Sequence, residues 1–207
     1  MSADMSLPPS GGSHLIPTAS QTVGPFFHFA LVANTTLGCL VPSGTHGDRI
    51  RLRIRVLDGA GAPVTDALVE LYHADADGKY AQPEDMAALN GPRDSTLGAF
   101  CGFGRLPTNT EGACVFETIR PGRVAGNGRV LQASHINVCL FARGLQRHLY
   151  TRIYFEADAA LPSDPVLAVV PANRRQTLTA SPDTEDPGLW TFDIRLQGED
   201  ETVFFDL

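Results

Sequence analysis

Lysine is nearly absent from this chain: Lys79 stands alone against fifteen arginines in 207 residues. Positive charge is also outweighed, with a formal net charge of −7. That balance argues against a partner built on a phosphate backbone, which needs clustered positive charge. Cysteine is sparse: Cys39, Cys101, Cys114 and Cys139 form no C-x-x-C and match no zinc spacing. They read as free, mostly buried thiols of a reducing compartment. No basic residue precedes an apolar run between Met1 and Pro17, so a secretory signal is not expected. Nor is any apolar stretch long enough to span a bilayer, and the expected location is the cytoplasm. Helical patterning is scarce, with Asp164 to Val170 and Ala172 to Leu178 the only candidates.

What the chain does have is a soluble protein's composition, 43% hydrophobic and 19% charged, with enough length for one ordinary domain. Residues 1–17 are rich in Ser, Gly and Pro without periodicity and read as a tail; 18–207 reads as a single domain. Strict alternation from Arg49 to Val56 predicts a strand with Ile50, Leu52, Ile54 and Val56 on one face and four arginines on the other. Those arginines are expected on a solvated or interface face. After the turn Asp58-Gly59-Ala60-Gly61, a second strand near Ala67 to Ala74 suggests a hairpin with a longer loop. Further strands are expected at Ala113 to Ile119, Ser134 to Ala142, Leu149 to Glu156 and Leu189 to Gln197, with a short terminal strand at Thr202 to Phe205. A Pro- and Gly-punctuated loop runs from about Gln82 to Gly98. The class implied is all-β, an antiparallel β-sandwich with long loops and little helix.

In the segment Ser134 to Arg143, His135 and Asn137 are two apart and share one face of a strand, with Ile136, Val138 and Leu140 on the other. An H-x-H at that spacing would deliver two imidazoles to one ion, but the second position here is a neutral amide. By itself a strand histidine is more often a hydrogen-bonded core residue than a ligand. The segment gains meaning from its company: Leu71 to Tyr80, then Thr110 to Phe116, then Ile119-Arg120-Pro121-Gly122. In that order and spacing the chain resembles the intradiol aromatic-ring dioxygenases, from roughly Thr18 to Leu207.

The resemblance implies a ferric site made by two tyrosinates and two histidines, hard phenolate oxygens suiting Fe(III). The family's ligand positions fall on Tyr80, Val124, His135 and Asn137, and its catalytic arginine on Gln132. Two ligands are therefore replaced, which implies no catalytic residue and no stoichiometric iron on this chain. Two-chain members of the family pair a metal-free alpha chain with a homologous beta chain that holds Fe(III). The segments Ala19 to Phe27, Leu140 to Gly144, Thr151 to Phe155, Arg174 to Leu178 and Phe192 to Asp206 look like the metal-free kind. This implies a large alpha-beta hetero-oligomer that cleaves protocatechuate with O2 to 3-carboxy-cis,cis-muconate.

For this chain the resemblance nominates Thr22, Gly24 and Pro25 as wall of the pocket beside the partner's iron; read alone, they make a turn into Phe26 and Phe27. Glycine lets backbone approach a flat ring, and proline gives a rigid apolar surface. Arg143, ending a strand before Gly144, is either a rim charge that favours anionic substrate or a member of an ion pair. Two other readings stand beside this one. One is a self-sufficient metalloenzyme built on Tyr80, His135 and Cys139 or Asp75. The other is a non-catalytic β-sandwich module that binds or carries aromatic acids.

Overall fold

The computed structural model describes residues 22, 31–32, 35–82, 100–126 and 130–206. Eight strands carry the fold: β1 (Arg49–Leu57), β2 (Leu68–Tyr72), β3 (Phe103–Pro107), β4 (Ala113–Ile119), β5 (His135–Phe141), β6 (Leu149–Phe155), β7 (Thr179–Pro182) and β8 (Leu189–Arg195). They form one nearly closed sheet in the order β3-β2-β5-β6-β7-β8-β1-β4. Among the described residues helix is confined to short pieces, including the four-residue α1 (Pro165–Ala168) and a 3₁₀ turn at Ala172–Leu178.

Period-two patterning decides which face of each strand is buried. In β1 exposed arginines alternate with buried Ile50, Leu52, Ile54 and Val56. The arginine face is largely stitched by ion pairs, Arg51 with Asp186, Arg53 with Glu111 and Arg55 with Asp193. In β5 the inward residues Ile136, Val138 and Leu140 join Leu52, Ile54 and Phe116 in one core cluster. Strands from the two ends of the sheet thus bury their apolar faces against each other. Fully burying a side chain such as Phe116 contributes about 2–3 kcal/mol.

The four-residue β7 couples the halves, pairing parallel with β6 and antiparallel with β8. Beside it Phe155 and Trp190 meet edge-to-face at 5.0 Å. The Arg120 guanidinium lies over both rings and reaches Asp158 at 3.3 Å. A cation between two aromatic faces and a carboxylate ties the turn after β6 to the end of β4.

Several expectations are corrected. Among the described strands five pairings are antiparallel, but β1 with β8 and β6 with β7 are parallel, so the sheet is mixed. Strands β1 and β2 form no hairpin: β1 pairs with β4 and β8, while β2 pairs with β3 and β5. The bridge Leu57↔Pro63 and the hydrogen bonds from Asp58 N–H to the Ala62 carbonyl and from Val64 N–H to the Val56 carbonyl, 2.9 Å each, mark the chain's turn after β1. Residues 202–206 make a single bridge, Tyr150↔Phe205, and no strand. Strand β3 went unread because Gly104 and Pro107 mask it. A Cβ at Gly104 would lie 2.7 Å from Leu40 Cδ1 and 2.9 Å from the Leu37 carbonyl, so packing demands glycine there. Most of the loop expected from Gln82 to Gly98 lies outside the described residues.

Candidate functional site

The site is built where two loops lock together at one end of β5. Asp75 opens a tight turn, its Oδ1 accepting from the backbone N–H of Asp77 and Lys79 at 2.9 Å each. The Gly122 N–H donates to the Asp75 carbonyl at 2.8 Å, docking the second loop on the first. Gly78 has φ +79°, and a Cβ on it would run into the Arg123 carbonyl oxygen; one on Gly122 would meet the Ala76 carbonyl. Only glycines allow this approach, and it brings the loop bearing Tyr80 against the loop bearing Val124.

Asn137, on the outer face of β5, donates from Nδ2 to the Tyr80 hydroxyl at 3.0 Å and to the Tyr72 carbonyl at 3.2 Å. Tyr72 and Tyr80 stack with ring centroids 5.0 Å apart. Burial, then proximity to Tyr80, raises the Tyr72 phenol above its ordinary value, so it stays protonated. His135 is buried, with Nδ1 2.8 Å from the Ala133 carbonyl; a carbonyl only accepts, so the proton is on Nδ1. Burial first, then the Arg152 charge, pushes its pKa down to about 4, which keeps the ring neutral. Val124 is buried and has no donor atom.

These side chains do not fit a ferric ion. The phenol of Tyr80 is engaged by an amide hydrogen, the residue beside it is aliphatic, and the second imidazole is missing. Cys139 offers no substitute, because burial pushes its thiol up to about 12 and away from the thiolate. Asp75 has its Oδ1 committed to its own turn.

Of the other expected residues, Thr22 is exposed, and Gly24 and Pro25 lie outside the described residues. Arg143 is exposed and pairs with Asp66 at 3.1 Å. It follows β5 eight residues after His135, roughly 25 Å along an extended chain, so it does not converge with Tyr80 and Asn137.

A buried polar network behind Asn137 escaped the sequence reading. Arg152 is the cross-strand partner of Asn137. It donates to Gln132 Oε1 at 2.6 Å and lies 3.5 Å from the Tyr154 hydroxyl, which donates to Asp164 Oδ1 at 3.2 Å. Asp164, 1% exposed, also accepts from the N–H groups of Ala133, Val166 and Leu167. The available signals were Asp164 ahead of Pro165, an N-cap pattern, and Arg152 sharing a strand face with Tyr150 and Tyr154. In front of the network opens a cavity of about 610 Å³, walled by Tyr72, Phe103, Phe141, Tyr150 and Phe205.

Comparison with known proteins agrees with this geometry. The family described as Dioxygenase matches residues 23–198. The chain is 38% identical over 203 residues to the protocatechuate 3,4-dioxygenase alpha chain of Burkholderia cepacia, covering 92% of this chain and 97% of that one. It is 36% identical over 163 residues to the beta chain of the same enzyme, covering 75% and 67%. Among solved structures, the dioxygenase domain of a dioxygenase–carbohydrate-binding fusion from Streptomyces sp. SirexAA-E superposes with a TM-score of 0.59 at 26% identity, covering 88% of this chain and 99% of that one.

Proposed function

Because the chain belongs to the intradiol dioxygenase family, as a homologue of protocatechuate 3,4-dioxygenase alpha chains, we propose that it serves as the iron-free subunit of such an enzyme. A homologous beta chain supplies the ferric ion and with it the oxidative cleavage of protocatechuate by O2 to 3-carboxy-cis,cis-muconate. The observation that carries this is the hydrogen bond from Asn137 to the Tyr80 hydroxyl. It joins two of the family's four ligand positions to each other, while Val124 offers nothing to a metal.

This chain then contributes shape and charge. Thr22, Gly24 and Pro25 line the partner's pocket, glycine and proline presenting backbone and ring surface to a flat substrate. Arg143 adds positive potential at the rim. Its exposed pair with Asp66 is worth at most about 1 kcal/mol, so an anionic substrate competes for it readily. Residues 18–207 act as one domain, a reading supported by a family match that runs from 23 to 198. Apolar faces of β1, β4 and β5 meeting in one core cluster support reading it as a sandwich. A cytoplasmic setting suits the thiols Cys39, Cys114 and Cys139, which form no disulfide.

The test is to produce this chain alone and together with a beta-type chain, then measure iron and protocatechuate-dependent oxygen uptake. Both are expected only in the joint preparation. Stoichiometric iron with turnover in the chain alone would refute the reading.

A further inference from the structure

The cavity in front of β5 and β6 has features of a small-molecule site. Its volume, about 610 Å³, lies within the range of roughly 300–1,000 Å³ that ligand pockets span. Tyr72, Phe103, Phe141, Tyr150 and Phe205 give its walls five aromatic rings, and two charged side chains line it, Glu70 and Arg152. Glu70 is neutralised in place, 2.6 Å from Arg105. Arg152 is different. Seven described arginines meet a carboxylate within 4.0 Å; Arg152 is among those that do not, and it lines this cavity. It is held instead by neutral oxygens, Gln132 Oε1 at 2.6 Å and the Tyr154 hydroxyl at 3.5 Å. The carboxylate of Asp164 stands behind Tyr154, occupied by three backbone N–H groups. The cavity therefore presents one oriented, partly buried guanidinium with no carboxylate within 4.0 Å among the described residues, flanked by ring faces.

A ligand that satisfies both features has a planar aromatic body and one carboxylate. We infer that this chain's own cleft binds an aromatic carboxylate, its ring between Tyr72, Phe103, Phe141 and Tyr150 and its carboxylate on Arg152. No bond is made or broken there; the site is a binding site. A guanidinium–carboxylate contact is charge-assisted and bidentate, and aromatic walls raise its strength by excluding water. Replacing arginine by a neutral side chain is expected to weaken such binding about tenfold or more.

The inference rests on the proposed pairing only for the form in which the chain is assayed, the complex with a beta chain. Equilibrium dialysis with radiolabelled 4-hydroxybenzoate, which lacks the second ring hydroxyl, counts bound ligand per alpha-beta pair. Two are expected, one that perturbs the iron's visible absorption and one that leaves it unchanged. In Arg152→Gln the spectrally silent site should weaken at least tenfold, and Arg152→Lys should recover part of it. Cys139→Phe, which fills the cavity and leaves the guanidinium in place, should abolish the silent site independently. A count of one in the native complex overturns the inference, as does a silent site left at full strength by either Arg152→Gln or Cys139→Phe. Failure to obtain an iron-bearing complex would instead overturn the pairing.

Discussion

Asp164 holds more of the site together than any other buried polar residue described. Its Oδ1 accepts from Val166 and Leu167 N–H at 2.8 Å and from the Tyr154 hydroxyl at 3.2 Å; its Oδ2 accepts from Ala133 N–H at 2.7 Å. Asp164→Ala removes the N-cap of α1, a loss of about 1–2 kcal/mol. It also strands the Ala133 N–H in a fully buried position, which costs about 1–3 kcal/mol more. Together these predict a loss of about 2–5 kcal/mol. Asp164→Asn keeps an oxygen for the cap but turns an NH2 toward Ala133 N–H, so about 2–3 kcal/mol is expected. Urea unfolding followed by fluorescence of Trp190, 9% exposed and edge-on to Phe155, reports the change. Wild type and variants should be compared at equal concentrations of the same assembled form. A shift below about 1 kcal/mol for Asp164→Ala would refute the claim that this carboxylate organises the start of β5.

Three further outcomes follow from the geometry. Gly78→Ala should cost about 2–5 kcal/mol in thermal or urea unfolding, from positive φ and overlap with the Arg123 carbonyl. Gly61→Ala, at the same φ of +79° but in open space, should cost only about 1 kcal/mol; equal effects would remove the packing argument. His73, buried between the Ala74 carbonyl and the Thr118 hydroxyl at 2.7 Å each, has its pKa lowered by burial to about 4, like His135. Both stay neutral when folded and take up a proton when unfolded, so stability is full above about pH 6.5 and falls as pH drops toward 4. The slope should approach roughly 1.4 kcal/mol per pH unit for each histidine. His73→Gln should remove about one proton from the slope measured between pH 5 and 6.5, and an unaltered slope would contradict a neutral His73. Arg143→Ala should raise the apparent KM for protocatechuate severalfold with iron content unchanged; unaltered kinetics would exclude Arg143 from the rim.

Strand faces were readable because the side-chain period of a strand is two and one face is buried: β1, β4, β5, β6 and β8 lie within a residue or two of their expected bounds. Pairing was not readable. Nothing in Arg49–Leu57 states that its neighbours are β4 and β8, one antiparallel and one parallel. Strand β3 escaped because Gly104 and Pro107, residues that usually punctuate a strand, lie in it, and β7 because it is only four residues long and ends at Pro182. At the site, the replacement of donor residues at Val124 and Asn137 could be seen in the linear order through resemblance. The bond between Asn137 and Tyr80 could not, since 57 residues separate them and only the folded chain brings the Tyr80 loop to β5.

The sequence by itself determined the apolar faces, the scarcity of helix and the absence of donor atoms at two positions, because these are properties of residue type and local spacing. Only the tertiary structure decided that Arg152 lies across from Asn137 and meets neutral oxygens, with Asp164 held behind Tyr154. Long-range pairing sets which side chains share a low-dielectric space, and that proximity governs whether a charge is compensated, a ring stays neutral or a cavity accepts an anion.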